Sequence, residues 1–326
     1  MKPVICFGEA LIDFLNFDQH ADGPITLKDY RQYPGGAPAN AAVAIAKLGG
    51  KSYFAGQVGN DAFGHFLEQA LITYQVNTQF LAKHASAKTA LAFVMLDNEG
   101  DRSFSFYRDQ TADVLFSKQQ IDPSWFAQQA LFHFCSNTLT DAMIAETTQC
   151  AVAMAKQQQS LISFDVNLRH NLWSTGKADI KLINDLVYQA DLIKFSRDEF
   201  EYLAENNTSD YLEKCFEKGV SLIVITDGEK AIEVFTKDNN ELLSVPQVNV
   251  VDTTAGGDSF SGALLFALSQ LDQPKQALTS LKILKDLITF AACCGAQTVA
   301  KPGAFPALPH FDDVKQHWPD NLPLSS

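Results

Sequence analysis

VDTTAGGDSFSG, residues 251–262, is the stretch from which the rest of this chain is read. It follows an apolar, β-branched run (245–251) and precedes a helix-like run (260–268), so it reads as a loop that opens a helix. Gly256 and Gly257 lack a Cβ, and their amides can approach a ligand closely. The first amides of a helix have no internal partner and sit at the positive end of its dipole. Together these features make a cradle suited to a phosphate. Asp258 falls in that same first turn. A carboxylate there repels a phosphate unless it has a task, and the task inferred is general base for a hydroxyl that attacks the phosphate. The plainer alternative is an acidic residue that complements the dipole beside glycines that make a turn.

Composition narrows the class. The chain has 326 residues, 46% hydrophobic and 19% charged, enough to bury a large core. A formal net charge of −13 argues against nucleic acid as a partner, which usually requires a basic face. It also means that a site for an anion such as ATP must carry local positive potential. The six cysteines form no CxxC pair and no disulfide-like framework. No basic-then-apolar leader opens the chain, and no apolar run reaches about 18 residues. The expectation is a reduced, soluble, cytoplasmic protein without a membrane segment.

Outward from the central stretch, residues 2–8 read as a buried first strand, with Asp13 just past its end, where ligands of open α/β sheets sit. Residues 15–33 suggest short alternating strands. Gly35-Gly36 makes a turn before a nearly all-apolar helix from Ala39 to Leu48, with Pro38 suited to its first position and Gly49 to its end. Asn40, an amide in the first turn of that buried helix, needs partners, either backbone groups or a polyol ligand. Gly50-Lys51-Ser52 ends like a P-loop, but Ile45 stands where the first glycine is required and a strand-like run follows, so it is rejected. LAFVMLD and RSFSFYR read as two strands joined by a hairpin loop at 98–101, with Arg108 closing the second. From Leu131, strands alternate with helices at LFHFC, LISFD, LIKF and LIVIT, which predicts a mostly parallel sheet covered on both faces. Asp165, Asn167 and Arg169 alternate at the exit of LISFD and can face one cleft, either for a ligand or as a self-satisfied network.

The central stretch closely resembles the second signature of the ribokinase-like (PfkB) carbohydrate kinases, usually DTTGAGDxF, with Ala255-Gly256 in place of Gly-Ala. Gly35-Gly36 with Asn40, followed by Gly59-Asn60-Asp61 and Gly64, is similar to the first signature. GEALIDF, FYR and D-x-N-x-R-x-x-LW resemble the fructokinase and 2-keto-3-deoxygluconate kinase subgroups. The resemblance covers nearly the whole chain. It implies an α/β fold with a Rossmann-like, mostly parallel central sheet and helices on both faces. Residues 1–326 would form one domain, with a small β-sheet lid from about 11–33 and 90–110.

The resemblance further implies ATP-dependent phosphorylation of a primary sugar hydroxyl. Asp258 would be the base and the amides of Ala255, Gly256, Gly257 and Asp258 the anion hole. Asp13, Gly36 and Asn40 would hold the sugar, with Arg108 and Arg169 orienting it. Ser196, Thr226, Gly228, Gly257 and Ala292 would face the nucleotide, Ser196 replacing the family's usual Asn and Ala231 the last Gly of a T-x-G-x-x-G turn. Glu199 would act on Mg²⁺ through water, and Asp252, Thr254, Thr298, Lys301, Gly303 and Ala307 match positions that hold a monovalent cation such as K⁺. The first activity implied is D-fructose to D-fructose 6-phosphate. The alternatives are a 2-keto-3-deoxygluconate kinase, a ribokinase, a nucleoside-type kinase and a sugar sensor without catalysis. An exposed lid edge can pair with a second copy.

Overall fold

The structure is a computed structural model that describes residues 1–96, 102–320 and 322. The expected hairpin loop at 98–101 lies outside the described residues. In chain order the strands are β1 (Val4–Phe7), β2 (Leu11–Asp22), β3 (Ile25–Gly35), β4 (Ser52–Gly59), β5 (Asn77–His84), β6 (Leu91–Leu96) and β7 (Arg102–Tyr107). They continue as β8 (Leu131–Cys135), β9 (Leu161–Asp165), β10 (Leu192–Ser196), β11 (Leu222–Thr226), β12 (Ile232–Phe235) and β13 (Asn240–Leu243). The helices are α1 (Ala37–Lys47), α2 (Ala62–Thr73), α3 (Ala142–Gln157), α4 (Ile180–Val187), α5 (Arg197–Ala204), α6 (Thr208–Glu217), α7 (Gly256–Ser269), α8 (Pro274–Ala277), α9 (Leu281–Val299) and α10 (Phe311–Val314).

Nine strands form the large sheet in the order β13-β12-β11-β10-β9-β8-β1-β4-β5, parallel from β11 to β5. β12 and β13 add antiparallel strands at one edge, which the alternation of strand and helix did not foretell. The strands read as continuous apolar runs because both faces are covered. Val4, Cys6, Leu131, Leu161, Leu192 and Leu222 face the core shared with α1, α7 and α9. Ile5, Phe7, Phe132, Phe134, Phe164 and Phe195 face the other core, with α3 to α6. The two-residue period of a strand sends alternate side chains to opposite cores. The aromatic side is tightly stacked: the Phe134 and Phe164 rings lie 4.5 Å apart at 11°, a contact of about 0.5–1.5 kcal/mol beyond its buried area.

On the opposite face α1 and α7 approach closely. A Cβ on Gly262 would come within 2.7 Å of the Ala44 Cβ and 2.8 Å of the Ala41 carbonyl oxygen. This contact brings the N-terminus of α7, with Asp258, beside the N-terminus of α1, with Asn40. The helix at 37–47 starts one residue earlier than the sequence suggests, with Gly36 as its N-cap at φ +104°.

β3-β2-β6-β7 form a separate four-stranded sheet on the segments expected for a lid. Residues 15–33 are not short strands but the greater part of one long hairpin turning at Gly23. Its length is hidden in the sequence because the far half of β2, from Phe17 to Asp22, is exposed on both faces and shows no apolar alternation. Among the described residues no helix is long and apolar enough to cross a membrane.

Candidate active site

Residues 244–250 form no strand, although they are rich in β-branched side chains. Val248, Val250 and Val251 are exposed. They lead to Ala255, which takes the left-handed conformation at φ +58° and caps α7. The unusual residue of the signature therefore stands where a Cβ is costly, and the usual glycine would be relaxed. The turn sets the amides of Gly256 and Gly257 at the open end of a 14-residue helix, whose dipole favours an anion there.

Two cavities meet at this turn. One, of about 280 Å³, is walled by Thr226, Gly228, Val245, Pro246, Val250 and Ala292, with Gly295 and Ala296 on α9. Its small side chains and apolar lining suit a flat aromatic base. The other, of about 270 Å³, takes in Asp13, Gly36, Asn40, Asn167, Arg169 and Asp258. Thr253 and Gly257 line both. Asp258 lines the second alone, one residue beyond the shared amide.

Asp258 is held by Asn40, whose Nδ2 donates to Oδ2 at 2.7 Å. Burial, and then the charge of Asp165, push its carboxyl up to about 6, against the pull of Asn40, Lys194 and Arg169. A carboxylate so placed is a stronger base than a solvated one and is still ionised at neutral pH.

The structure brings most of the sequence candidates together and sets some apart. Asp13 lies against Gly35, where a Cβ would fall 2.0 Å from its Oδ2. Arg169 reaches the second cavity, with Nη1 donating to the Leu168 carbonyl. Arg108, expected over the sugar site, is not among the residues lining that cavity. It is buried, with Nε on Asp113, Nη1 on Thr140 and Nη2 on the Asn137 carbonyl. The reason is Asp113, a buried carboxylate five residues on that claims the guanidinium. Ser196 likewise does not line the base cavity. Its side chain caps α5, and Glu199 completes the capping box with the Ser196 amide. The other Glu199 oxygen accepts from Leu168 N at 2.8 Å, which anchors the loop that carries Arg169. Asp165 joins Lys194 and Ser261, so it follows the self-satisfied alternative, whereas Asn167 and Arg169 face the cavity.

Asp252 is buried and accepts from Thr254 N and Gly303 N, drawing together two of the segments expected around a monovalent cation. Thr298 is buried on α9, bonded to Ser259 and the Cys294 carbonyl. Lys301 and Gly303 follow α9, and Ala307 is buried just beyond. Among the described residues no group of three or more His, Cys, Asp or Glu is placed to hold a metal ion. Asp61, part of the first signature, caps α2 and binds Thr89, a structural role that fixes the chain entering β6.

Sequence reasoning missed Lys194. Its Nζ lies 3.0 Å from Asp165 Oδ1, and 2.9 Å from where a Gly257 Cβ would be. Burial works against its charge, yet Asp165, then Glu199 and Asp258, outweigh it and hold the ammonium above the usual lysine range. The signal was a single charge inside the apolar strand Leu192-Ile-Lys-Phe. Glu9 and Asn137, both buried, were also missed and also line the second cavity.

Residues 1–310 match the model of the pfkB family of carbohydrate kinases. Fructokinase-2 of Zea mays is 38% identical over 309 residues, 94% of this chain and 91% of its own. The crystal structure of a fructokinase with bound ATP from Xylella fastidiosa superposes with a TM-score of 0.89 at 36% identity, covering 97% of both chains. A double mutant of the fructokinase from Vibrio cholerae O395, in its fructose-, ADP- and potassium-ion-bound form, gives 0.87 at 33% identity, covering 98% of this chain and 99% of that one.

Proposed function

The chain belongs to the pfkB family of carbohydrate kinases, and from that premise we propose that it is a fructokinase, converting D-fructose and ATP to D-fructose 6-phosphate and ADP. The observation that carries this reading is the shared wall of the two cavities: Gly257 borders both, and Asp258 stands on the sugar side of it. That the similar proteins include fructokinases supports fructose as the acceptor.

In this reading Asp13, Asn40 and the turn at Gly36 hold the sugar, and Arg169 orients it. Arg108 braces the floor through Asn137 instead of touching the substrate. The nucleotide base lies against Ala292, Gly295 and Ala296, with Thr226 and Gly228 at the cavity mouth. Asp258, raised to about 6, accepts the hydroxyl proton as the phosphoryl group passes over the Gly256 and Gly257 amides. Lys194 places a fixed positive charge beside Gly257, where the transferring group gathers negative charge. The small sheet closes over the sugar and excludes water, so that ATP is not simply hydrolysed.

Glu199, already fixed by two amides, would orient the water shell of a hydrated Mg²⁺ carried by the triphosphate, and that ion would supply charge neutralisation at the phosphates. A K⁺ ion among Asp252, Thr254, Thr298, Lys301, Gly303 and Ala307 would order the loop before α7. A second copy would pair along the edge of the small sheet, where Ile25 and Leu27 on β3 are exposed.

The test is ADP release with D-fructose, D-ribose, 2-keto-3-deoxygluconate and nucleosides, followed by product analysis at each carbon. Fructose is expected to give the highest kcat/KM, with phosphate on O6. A clear preference for another acceptor, or sugar binding without ADP release, rejects the assignment.

A further inference from the structure

Two residues that line the sugar cavity each carry an amide oxygen buried without a hydrogen-bond partner among the described residues: Asn40 Oδ1 and Asn137 Oδ1. Asn40 belongs to the sugar site already described, whereas Asn137 has had no part in it beyond its backbone. Asn137 stands in the turn after β8 and is fixed from both sides. Its Nδ2 donates to Glu9 Oε1 at 2.9 Å, and its backbone carbonyl accepts from Arg108. Glu9 is itself buried and also accepts from the Ala37 amide. Turning the Asn137 amide over would set its oxygen against the Glu9 carboxylate, so the charge of Glu9 decides its orientation. The outcome is a preset acceptor with no donor of its own. Such orphans are rare in folded proteins and call for a partner from outside the chain.

We propose that Asn137 is a specificity residue. Its Oδ1 accepts a hydrogen bond from a sugar hydroxyl other than the one Asp258 activates, and Glu9 is the positioning residue that holds the amide for it. The inference rests on the reading of the second cavity as the sugar site. It deepens that reading by naming the substrate class. Glu9, Asp13, Asn40 Oδ1 and Asn137 Oδ1 are acceptors, so this part of the lining matches hydroxyl donors. The cations of the same cavity, Arg169 and Lys194, are already engaged by the Leu168 carbonyl and by Asp165, which leaves neutral polyols preferred over sugar acids.

The experiment compares the wild-type protein with Asn137→Ala, using the neutral sugar it phosphorylates best, singly deoxygenated analogues of that sugar, and 2-keto-3-deoxygluconate. One deoxy analogue is expected to lose about 10- to 100-fold in kcat/KM with the wild type, because a buried acceptor is left unpaired. Asn137→Ala is expected to erase that one difference by raising the KM of the parent sugar. Its kcat should stay within about threefold and the KM for ATP within about twofold. Should the alanine variant fail to fold, Asn137→Ser, whose hydroxyl is too short to reach, carries the same comparison. A deficit that persists in the variant, or a loss spread evenly over all analogues, overturns the proposal. So does a wild-type preference for the sugar acid. A best substrate that is neutral but not fructose would sink the fructokinase reading alone, since the analogue series of that sugar still tests Asn137.

Discussion

Asn40 and Asp258 stand 218 residues apart in the chain and 2.7 Å apart in the fold, the Asn40 amide donating to the carboxylate. Both lie in the first turns of helices that are packed together at Gly262. The bond favours the ionised carboxylate, against a burial that disfavours it. Because the base must be ionised to accept a proton, kcat/KM is expected to rise with pH through about 6 and to level off above. Asn40→Ala removes the donor and should move that acid limb upward by about one pH unit, the equivalent of a charge-assisted hydrogen bond of about 1.5 kcal/mol. A pH–rate profile in saturating ATP measures it, and an unmoved limb removes Asp258 from the role of base.

Asp258→Asn should abolish turnover while leaving sugar affinity within about tenfold, since the neutral amide fills the same space but takes no proton. It should also stabilise the protein at alkaline pH. The folded carboxyl sits at about 6, against an ordinary 3.8, so the folded state binds the proton more tightly than the unfolded one. That stabilisation is complete below about pH 4 and is lost as the pH rises through about 6. The variant avoids the loss and should gain about 1–2 kcal/mol at pH 8, a figure reduced for the water that reaches the cavity, with no gain at pH 4. Urea denaturation at the two pH values gives the difference directly, and equal effects at both would contradict the raised carboxyl.

Part of the candidate site's geometry was legible in the sequence, and what was hidden was hidden for physical reasons. Asp258, Asn40 and Asp13 announced themselves as polar groups at the mouths of apolar elements, where a lone polar residue needs a purpose. The pairing of Arg108 with Asp113 does not show in the sequence, because Asp113 lies in a loop whose path the sequence pattern does not give. Lys194 was passed over because its strand looked apolar enough to be purely structural. Its proximity to Gly257 comes from the packing of α7 against the sheet. The β12 and β13 edge was missed because four-residue strands give too short a pattern to separate from loop.

Lys194→Met should separate the two duties of that lysine. Breaking the buried pair leaves Asp165 with Ser261 but no cation, at a cost of about 3–5 kcal/mol in stability. Loss of the charge beside Gly257 should lower kcat/KM for ATP by about 10²- to 10³-fold. Adding Asp165→Asn removes the stranded charge, so the double variant should recover most of the stability and none of the activity. Thermal melts and steady-state kinetics on the single and double variants complete the cycle. Recovery of activity along with stability would make Lys194 a structural residue only.

Ala255 gives a prediction of the opposite sign. At φ +58° and ψ 8° it occupies left-handed space that an L side chain enters at a cost of about 1–2 kcal/mol. Glycine removes that strain but adds freedom to the unfolded chain, worth about 0.4–1 kcal/mol in the other direction. Ala255→Gly should therefore stabilise the protein by about 0.5 kcal/mol and leave kcat within about twofold, because the amides that face the anion do not move. Ala255→Val, β-branched in the same conformation, should be destabilising and should lower kcat as well, since relief of its strain tilts the first turn of α7 away from the phosphate. Chemical denaturation and kinetics on the pair decide it: if glycine is the destabilising variant, the buried methyl of Ala255 contributes more by packing than it costs in strain.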